Sequence, residues 1–410
     1  MSRIFFHIDV NSAYLSWTAL KRLEEGADYD LRTIPSIICG DSSKRHGVVL
    51  AKSIPAKKFH IITGEPVVNA FRKCPTLVTD LPDHTLYDKK SRQLMDFLTS
   101  ICPDIEQVSI DECYMDYTPI SHRYASPEAC AHWIKDQIRT RFGYTVNVGI
   151  SDRKVLAKMA SDFKKPDLVH TLYQNEIRTK MWHLPVSSLY MCGKSSVEVL
   201  RKLEIITIGD LALTDPAILQ AHLKSHGKQL WEYANGIDDS QVITEPEQQK
   251  GVGNSTTLSK DAVTREEAQH VLLSLADSVG RRLRESAQFA GMINVEIKYN
   301  TFQTVSHQTT LTTPTDSSDM IYKTACELFD NIWNGTPIRL LGIRTAKLQT
   351  ADAPIQINLF DLQIQTPVSE KQHKLDAALD SIRSRYGMDA VVRGSFYNRQ
   401  PPKTDKEKSD

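Results

Sequence analysis

Three carboxylates raise the question of chemistry in this 410-residue chain. Asp9 ends the apolar run from Ile4 to Ile8, and Asp111 and Glu112 stand together in "DIEQVSIDECYMDY", residues 104 to 117. If the strands that carry them are neighbours in one sheet, the three acids converge at one edge and repel one another unless a cation joins them. Hard oxygen donors without histidine or cysteine favour Mg²⁺ or Mn²⁺, and three carboxylates suffice for two ions that share ligands. Such a pair of ions serves in-line displacement at phosphorus, activating the attacking hydroxyl and neutralising the leaving pyrophosphate. Taken alone, residues 109 to 112 also read as a solvated hairpin turn, and Asp9 as a turn former or helix cap. Two cationic stretches turn the reading toward a triphosphate. These are Lys52, Lys57 and Lys58 after an apolar run, and Lys154, Lys158, Lys164 and Lys165 in a helical segment.

The elements that must hold these residues follow from periodicity. Ile4, Phe6 and Ile8 alternate with Phe5, His7 and Asp9, which predicts a buried strand that delivers its carboxylate at the C-terminal end. Residues 104 to 117 predict two short strands about a turn, with Val108 and Ile110 on one face and Ser109 and Asp111 on the other. Ser126 and Pro127 start a helix with Ala131, Ile134 and Ile138 inward, and Gly143 stops it. "YTVNVGI" is a strand, and a second helix carries Val155, Leu156 and Met159 toward a boundary at Pro166. Short helices fill 172 to 238, and "DDSQVITEPEQQKG" reads as an interdomain linker. Beyond it come a strand at 252 to 258 and a helix at 265 to 286, capped by Thr264 with Glu267 in capping-box position. The strands "MINVEIKYN" and "TVSHQTTL", a helix with Ile321, Leu328, Phe329 and Ile332, and a strand at 338 to 349 complete the order of a ferredoxin-like sandwich. A charged amphipathic segment, 369 to 386, and the tail "PPKTDKEKSD", expected to be disordered, close the chain.

Composition narrows the class. A chain of this length forms roughly two to four domains, and 40% hydrophobic with 24% charged residues is a packed globular composition. Apolar runs are short and the N-terminus resembles no signal peptide, so a cytoplasmic protein without a membrane span is expected. The seven cysteines are scattered without a close metal-ligand pair and are expected to be reduced. Fifty basic against fifty acidic residues exclude a histone-like polycation. They leave room for a basic face that binds nucleic acid.

The motifs "HIDVNSAYLS", "VSIDECYMD", "NVGISDRKVLAKMASDFKKPD" and "TIGDLA…GKQLWEYANGID" are collinear, from about residue 3 to about 350, with those of the Y-family translesion DNA polymerases. The chain resembles their bacterial polymerase IV-like branch. The resemblance implies an α+β multidomain right hand. Its palm would be 1–12 and 81–171, its fingers 13–80, its helical thumb 172–238, its linker 239–250 and its ferredoxin-like little finger 251–350, followed by a C-terminal extension, 351–410.

Carried over by residue, Asp9, Asp111 and Glu112 resemble the catalytic metal-binding carboxylates, and the backbone carbonyl of Val10 completes one metal site for two Mg²⁺ ions, with Mn²⁺ able to substitute. Tyr14 falls on the steric gate beneath the incoming sugar. Lys57 and Lys165 match phosphate-holding positions, and Val48 and Leu50 those that press on the nascent base pair. Gly193 matches a backbone-amide contact to DNA phosphate, in "MCGK" where the family has a Gly-x-Gly hairpin. Gln356, Ile357, Leu359 and Phe360 resemble the peptide that docks on a sliding clamp.

Two departures stand out. Ile54 and Lys57 occupy the places of a Tyr-x-x-Arg pair, so a hydroxyl and a bidentate fork are missing, and Asn11 replaces a common aspartate that metal binding does not require. The implied activity is template-directed, low-fidelity addition of dNTPs to a primer 3′-end without proofreading, by a monomer whose partners are primer–template DNA and the clamp and whose DNA grip weakens with salt. Two alternatives stay open: a non-catalytic DNA- or clamp-binding relative, and a palm-type nucleotide cyclase that needs neither primer nor template.

Overall fold

The computed structural model describes residues 3–41, 47–245, 248–350, 370–387 and 390–391. The chain divides into two units, 1–246 and 247–410. In the first, the chain runs through β1 (Phe5–Val10), α1 (Ala13–Glu24), β2 (Ser36–Cys39), β3 (Val49–Lys52), α2 (Ile54–Lys57), α3 (Val67–Lys73), β4 (Val78–Asp80) and α4 (His84–Ile101). It continues through β5 (Ile105–Gln107), β6 (Glu112–Asp116), α5 (Pro127–Phe142), β7 (Val146–Ser151), α6 (Lys154–Ser161) and β8 (Val169–Thr171). The helices α7 (Ile177–Lys180), α8 (Lys194–Lys202), α9 (Ile208–Leu213), α10 (Pro216–Leu223) and α11 (Ser225–Ala234) end this unit.

The main sheet has the order β5-β6-β1-β7-β8, with β1 central and antiparallel to β6 and β7. Phe6 lies between Met115 and Ile150, and Ile8 between Cys113 and Val148. These side chains join Leu94, Leu98, Ile134 and Ile138 of α4 and α5 in one core. The opposite face, with His7, Asp9, Glu112 and Asn147, lies under α6. All of β1 is buried because helices cover both faces.

The approach of α6 depends on Gly149, where an added Cβ would stand 2.0 Å from the Ala157 carbonyl oxygen and 2.5 Å from the Ser161 nitrogen. Helix α5 is bounded as its sequence predicts: the Ser126 hydroxyl accepts the Ala129 N–H, and Gly143 ends it at φ 75°.

A second sheet, β3-β2-β4, packs Ile37, Val49, Ile61 and Val67 into its own core. Helices α7 to α11 enclose Leu172, Met181, Leu200, Leu211 and Leu230, which Val155, Leu156 and Met159 of α6 join. The first part of the expected linker is tied down. Asp238 accepts the Val155 N–H at 2.9 Å, the Gln241 carbonyl accepts from Lys154 at 2.9 Å, and Glu106 accepts the Ile243 N–H at 2.7 Å.

The second unit contains β9 (Gly253–Ala262), α12 (Arg265–Glu285), β10 (Gln288–Tyr299), β11 (Thr304–Thr315), α13 (Ser318–Ile332), β12 (Ile338–Thr350) and α14 (Glu370–Tyr386). Its sheet order is β11-β10-β12-β9, antiparallel throughout, so each crossover helix joins parallel strands separated by one neighbour. Leu272, Val279, Ile321 and Phe329 of the helices bury Ile293, Val295, Leu341 and Ile343 of the sheet. The Thr264–Glu267 capping box forms as the sequence predicts. Arg284 fixes α14 by donating to Asp380 at 2.6 Å, and it also donates to the Asp316 carbonyl at 2.7 Å.

One local expectation is corrected. The turn expected to carry Asp111 and Glu112 spans 108–111 instead, and Glu112 already belongs to β6, because the Ser109 hydroxyl accepts the N–H groups of Asp111 and Glu112 and ends the first strand early. Val108 is therefore exposed while Ile110 packs on the core. The clamp-like residues Gln356, Ile357, Leu359 and Phe360 and the tail lie outside the described residues.

Candidate active site

Strand pairing brings the acids together. Asp9 and Glu112 are direct partners across β1 and β6, and the Val10 N–H donates to the Asp111 carbonyl at 3.1 Å, which fixes the turn against the strand end. Asp111 accepts from the Ser109 hydroxyl at 2.8 Å. The backbone then reverses at Ser12, which has φ 49° and ψ 54°, a left-handed conformation that sterics disfavour for a residue with a Cβ. Helix α1 starts at the next residue, Ala13.

Lysines meet these acids. Lys158 of α6 donates to Glu112 at 2.8 Å and lies 3.9 Å from Asp9, while Lys165 is hydrogen-bonded to Asp9 and pairs with Asp162 at 2.9 Å. Burial would lower the Lys158 ammonium, but its hydrogen bond to Glu112 and the charges of Asp162, Glu112 and Asp9 outweigh it and leave it above its ordinary value. Burial pushes the Asp9 carboxyl up to about 6 even though both lysines pull it down. Asp111 is raised by burial as well, with the neighbouring Glu112 charge adding to it. His7 is held well below its usual range by burial, then by Lys158 and Lys165, so it is neutral where its Nδ1 meets the Ser161 hydroxyl at 2.8 Å.

Among the described residues no three His, Cys, Asp or Glu side chains stand close enough to ligate one ion as they are. The reason is visible: Asp9 and Glu112 are turned to ammonium groups. The donor set nevertheless fits a hard divalent cation, since the Asp9, Asp111 and Glu112 carboxylates and the Val10 carbonyl offer only oxygen.

A cleft of about 540 Å³ opens beside the acids, lined among others by Asp9, Val10, Tyr14, Leu50, Lys57, Asp111 and Lys165. The Tyr14 ring stacks on Tyr87 at 4.2 Å with 8° between planes and meets the edge of His84, so its orientation is fixed. Ile54 and Lys57, three apart on the single turn of α2, both line the cleft, and the Ser53 hydroxyl caps that turn by accepting the Ala56 N–H. Arg32, not singled out from sequence, is on the wall too, its guanidinium held by Asp30 and the Gly143 carbonyl.

Three sequence-predicted residues, Val48, Gly193 and Glu112, lie off the cleft wall. Val48 does not line the cleft: it precedes β3, where it bridges to Pro66. Gly193 heads α8, but its N–H donates to the Met191 carbonyl, so the free amides of that helix end belong to the following residues. Glu112 is off the cleft wall, turned toward Lys158.

Sequence reasoning named Lys158 only as part of a basic stretch and treated Asn11 as inconsequential. The four-residue spacing of Lys154 and Lys158, which places both on one helix face, is the signal that could have found the former. Lys154 pairs with Glu106 and Lys158 with Glu112 on neighbouring strands.

Known proteins bear on this arrangement. Residues 8–162 match the impB/mucB/samB family and residues 249–359 the impB/mucB/samB family C-terminal domain, so each unit carries a match. A DNA polymerase IV of Clostridium acetobutylicum is 44% identical, over 98% of this chain and 100% of its own length. DNA polymerase IV of Acetivibrio thermocellus is 35% identical over 96% of this chain and 97% of its own. The fold is similar to the solved Y-family DNA polymerase chimera Dbh-Dpo4(243-245)-Dbh, with TM-score 0.72 and 20% identity over 87% of this chain and 100% of the chimera.

Proposed function

The chain belongs to the impB/mucB/samB family of Y-family DNA polymerases, and from that membership we propose how its own residues carry translesion, template-directed addition of dNTPs to a primer. The observation that carries the assignment is the pair Asp9 and Asp111 on the wall of a cleft that also holds Lys57 and Lys165, with Glu112 the cross-strand partner of Asp9. In the reaction the primer 3′-hydroxyl attacks the α-phosphorus and pyrophosphate leaves. Asp9, Asp111, Glu112 and the Val10 carbonyl would hold two Mg²⁺ ions, or Mn²⁺ in their place. When bound, such ions lower the pKa of the attacking hydroxyl and neutralise the leaving group.

The remaining work falls to the chain. Lys165 exchanges Asp9 for the triphosphate, Lys57 adds a second positive charge, and Ser109 keeps the Asp111 carboxylate oriented. Tyr14, braced by Tyr87, closes the floor of the cleft where a ribose 2′-hydroxyl would sit. Leu50 and Ile54 offer only apolar contact to the new base pair, and such contact discriminates weakly, which suits copying of damaged bases at low fidelity. With Ile54 and Lys57 in place of a tyrosine and an arginine, the phosphates meet a point charge and no bidentate fork. DNA phosphates would meet the end of α8 that Gly193 heads. A palm of 1–12 and 81–171, fingers of 13–80, a thumb of 172–238, a little finger of 251–350 and clamp docking through 356–360 belong to the same proposal. So does a cytoplasmic setting, supported by seven free thiols.

Asp111→Ala tests the reading. Primer extension is expected to fall by at least about 10³-fold, with the unfolding midpoint unchanged or raised because a repelling buried carboxylate is gone. Extension at the parent rate would overturn it, and cyclic product formed from nucleotide without primer or template would favour a cyclase.

A further inference from the structure

Lys165 sits in a short loop between α6 and β8 that is held from three sides. Asn147 of β7 donates to the Lys164 carbonyl at 2.7 Å and accepts the Leu168 N–H at 3.3 Å, and His170 Nε2 hydrogen-bonds the Lys164 carbonyl at 2.9 Å. Asn11, one residue past β1, accepts the Asp167 N–H at 2.9 Å. It also accepts from the Thr145 hydroxyl at 2.9 Å and donates to Asn147 at 3.1 Å. On the far side, the Asp167 carboxylate is gripped by two cations of α5: Lys135 donates to one oxygen at 3.0 Å and Arg139 to the other at 2.9 Å.

Asp167 has φ 60°, a left-handed backbone that aspartate and asparagine tolerate better than most residues. Lys135 is a buried ammonium, 7% exposed, so the pair is shielded from solvent on that side. None of Asp167, Lys135 and Arg139 lines the cleft, whereas Lys165 does.

We propose that Asp167 is a positioning residue for nucleotide binding: clamped by Lys135 and Arg139 of α5 and by Asn11 behind β1, it fixes the backbone from which Lys165 reaches the cleft. The inference rests on the reading of Lys165 as a phosphate contact. A lysine side chain carries large rotamer entropy, and a mobile backbone would add to what must be frozen when its ammonium leaves Asp9 for a phosphate. The clamp removes that second cost before the nucleotide arrives. It also gives Asn11 a role distinct from metal binding, because an aspartate at 11 would lose the N–H that Asn147 accepts.

The test is a double-mutant cycle on the full chain, reading the nucleotide dissociation constant and maximal rate of single dNTP insertion on primer–template DNA. Asp167→Asn keeps shape, left-handed tolerance and the backbone N–H to Asn11, and removes the charge that Lys135 and Arg139 grip. It is expected to raise the dissociation constant about fivefold with little change in maximal rate, and to have no further effect in a Lys165→Ala background.

Equal weakening in both backgrounds would overturn the inference, as would a lowered melting temperature with unchanged nucleotide affinity. If Lys165→Ala alone leaves affinity unchanged, the phosphate role of Lys165 fails and this inference falls with it. Should Asp167→Asn not fold, Arg139→Gln on the exposed side of the clamp is expected to weaken affinity in the same direction and by less, again only when Lys165 is present. Unchanged affinity there counts against the clamp.

Discussion

At the residue scale the site is shaped by what stands behind each side chain. Tyr14 is half-buried, stacked on Tyr87 and edged by His84, so its ring is a wall and not a swinging group. Tyr14→Ala is therefore expected to admit ribonucleotides, raising rNTP relative to dNTP incorporation by about 10- to 100-fold, while costing about 1 kcal/mol of stability for the lost stack. Competition of rNTP against dNTP in single-nucleotide insertion, alongside a melting curve, checks it. A large fall in stability with unchanged sugar selection would make Tyr14 a core residue only.

Lys158 balances Glu112 and Asp9 from α6 and so stabilises the corner without a metal. Lys158→Met is expected to lower the metal-free melting temperature and to enlarge the rise that excess Mn²⁺ produces. An equal loss with and without Mn²⁺ would assign Lys158 a purely structural role.

At the scale of elements, the packing of α6 on the main sheet is set by one missing side chain. Gly149→Ala would drive a methyl group into backbone atoms of α6, which cannot rotate aside. A loss of about 3 kcal/mol or more is expected, read as a shifted urea midpoint. A parent-like midpoint would mean that α6 can lift without cost.

The local signals around this packing were legible in sequence. Ser126, Pro127 and Gly143 bound α5, Thr264 and Glu267 cap α12, and the alternation before Asp9 marks β1, because caps and periodicity are properties of neighbours in the chain. The turn begins at Val108, ahead of the Asp111–Glu112 tip that the sequence predicts, because the apolar alternation of Val108 and Ile110 does not reveal that Ser109 takes two backbone N–H groups. Lys158 has one near partner, Asp162 four residues on, but its Glu112 partner lies 46 residues away, those of the Asn11 side chain 134 to 156 and those of Asp167 28 to 156, so local pattern does not carry these pairings. The acids were found from sequence because their chemistry is distinctive. The pairing of Lys158 and Lys165 with them and the hydrogen bonds of Asn11 and Asn147 were not, since such residues are usual on any wet surface.

At the scale of the whole molecule, all seven cysteines are free; six are buried and Cys326 is half-buried. Burial pushes the Cys113 and Cys130 thiols up to about 12, far from the thiolate form that reacts. A thiol reagent at pH 8 is expected to label at most Cys326 in the native protein and all seven residues after unfolding, which mass spectrometry resolves.

The segment that joins the two units has a consequence for dividing the protein. Its first residues give Val155, Lys154 and Glu106 hydrogen-bond partners, so a cut at its start is not equivalent to one near its middle. A fragment of residues 1–237 strips those partners from α6 and β5, whereas one of 1–246 keeps them. With each lost hydrogen bond worth about 1 kcal/mol, the shorter fragment is expected to melt several degrees lower. Equal melting temperatures would show that the segment is a passive tether from its first residue.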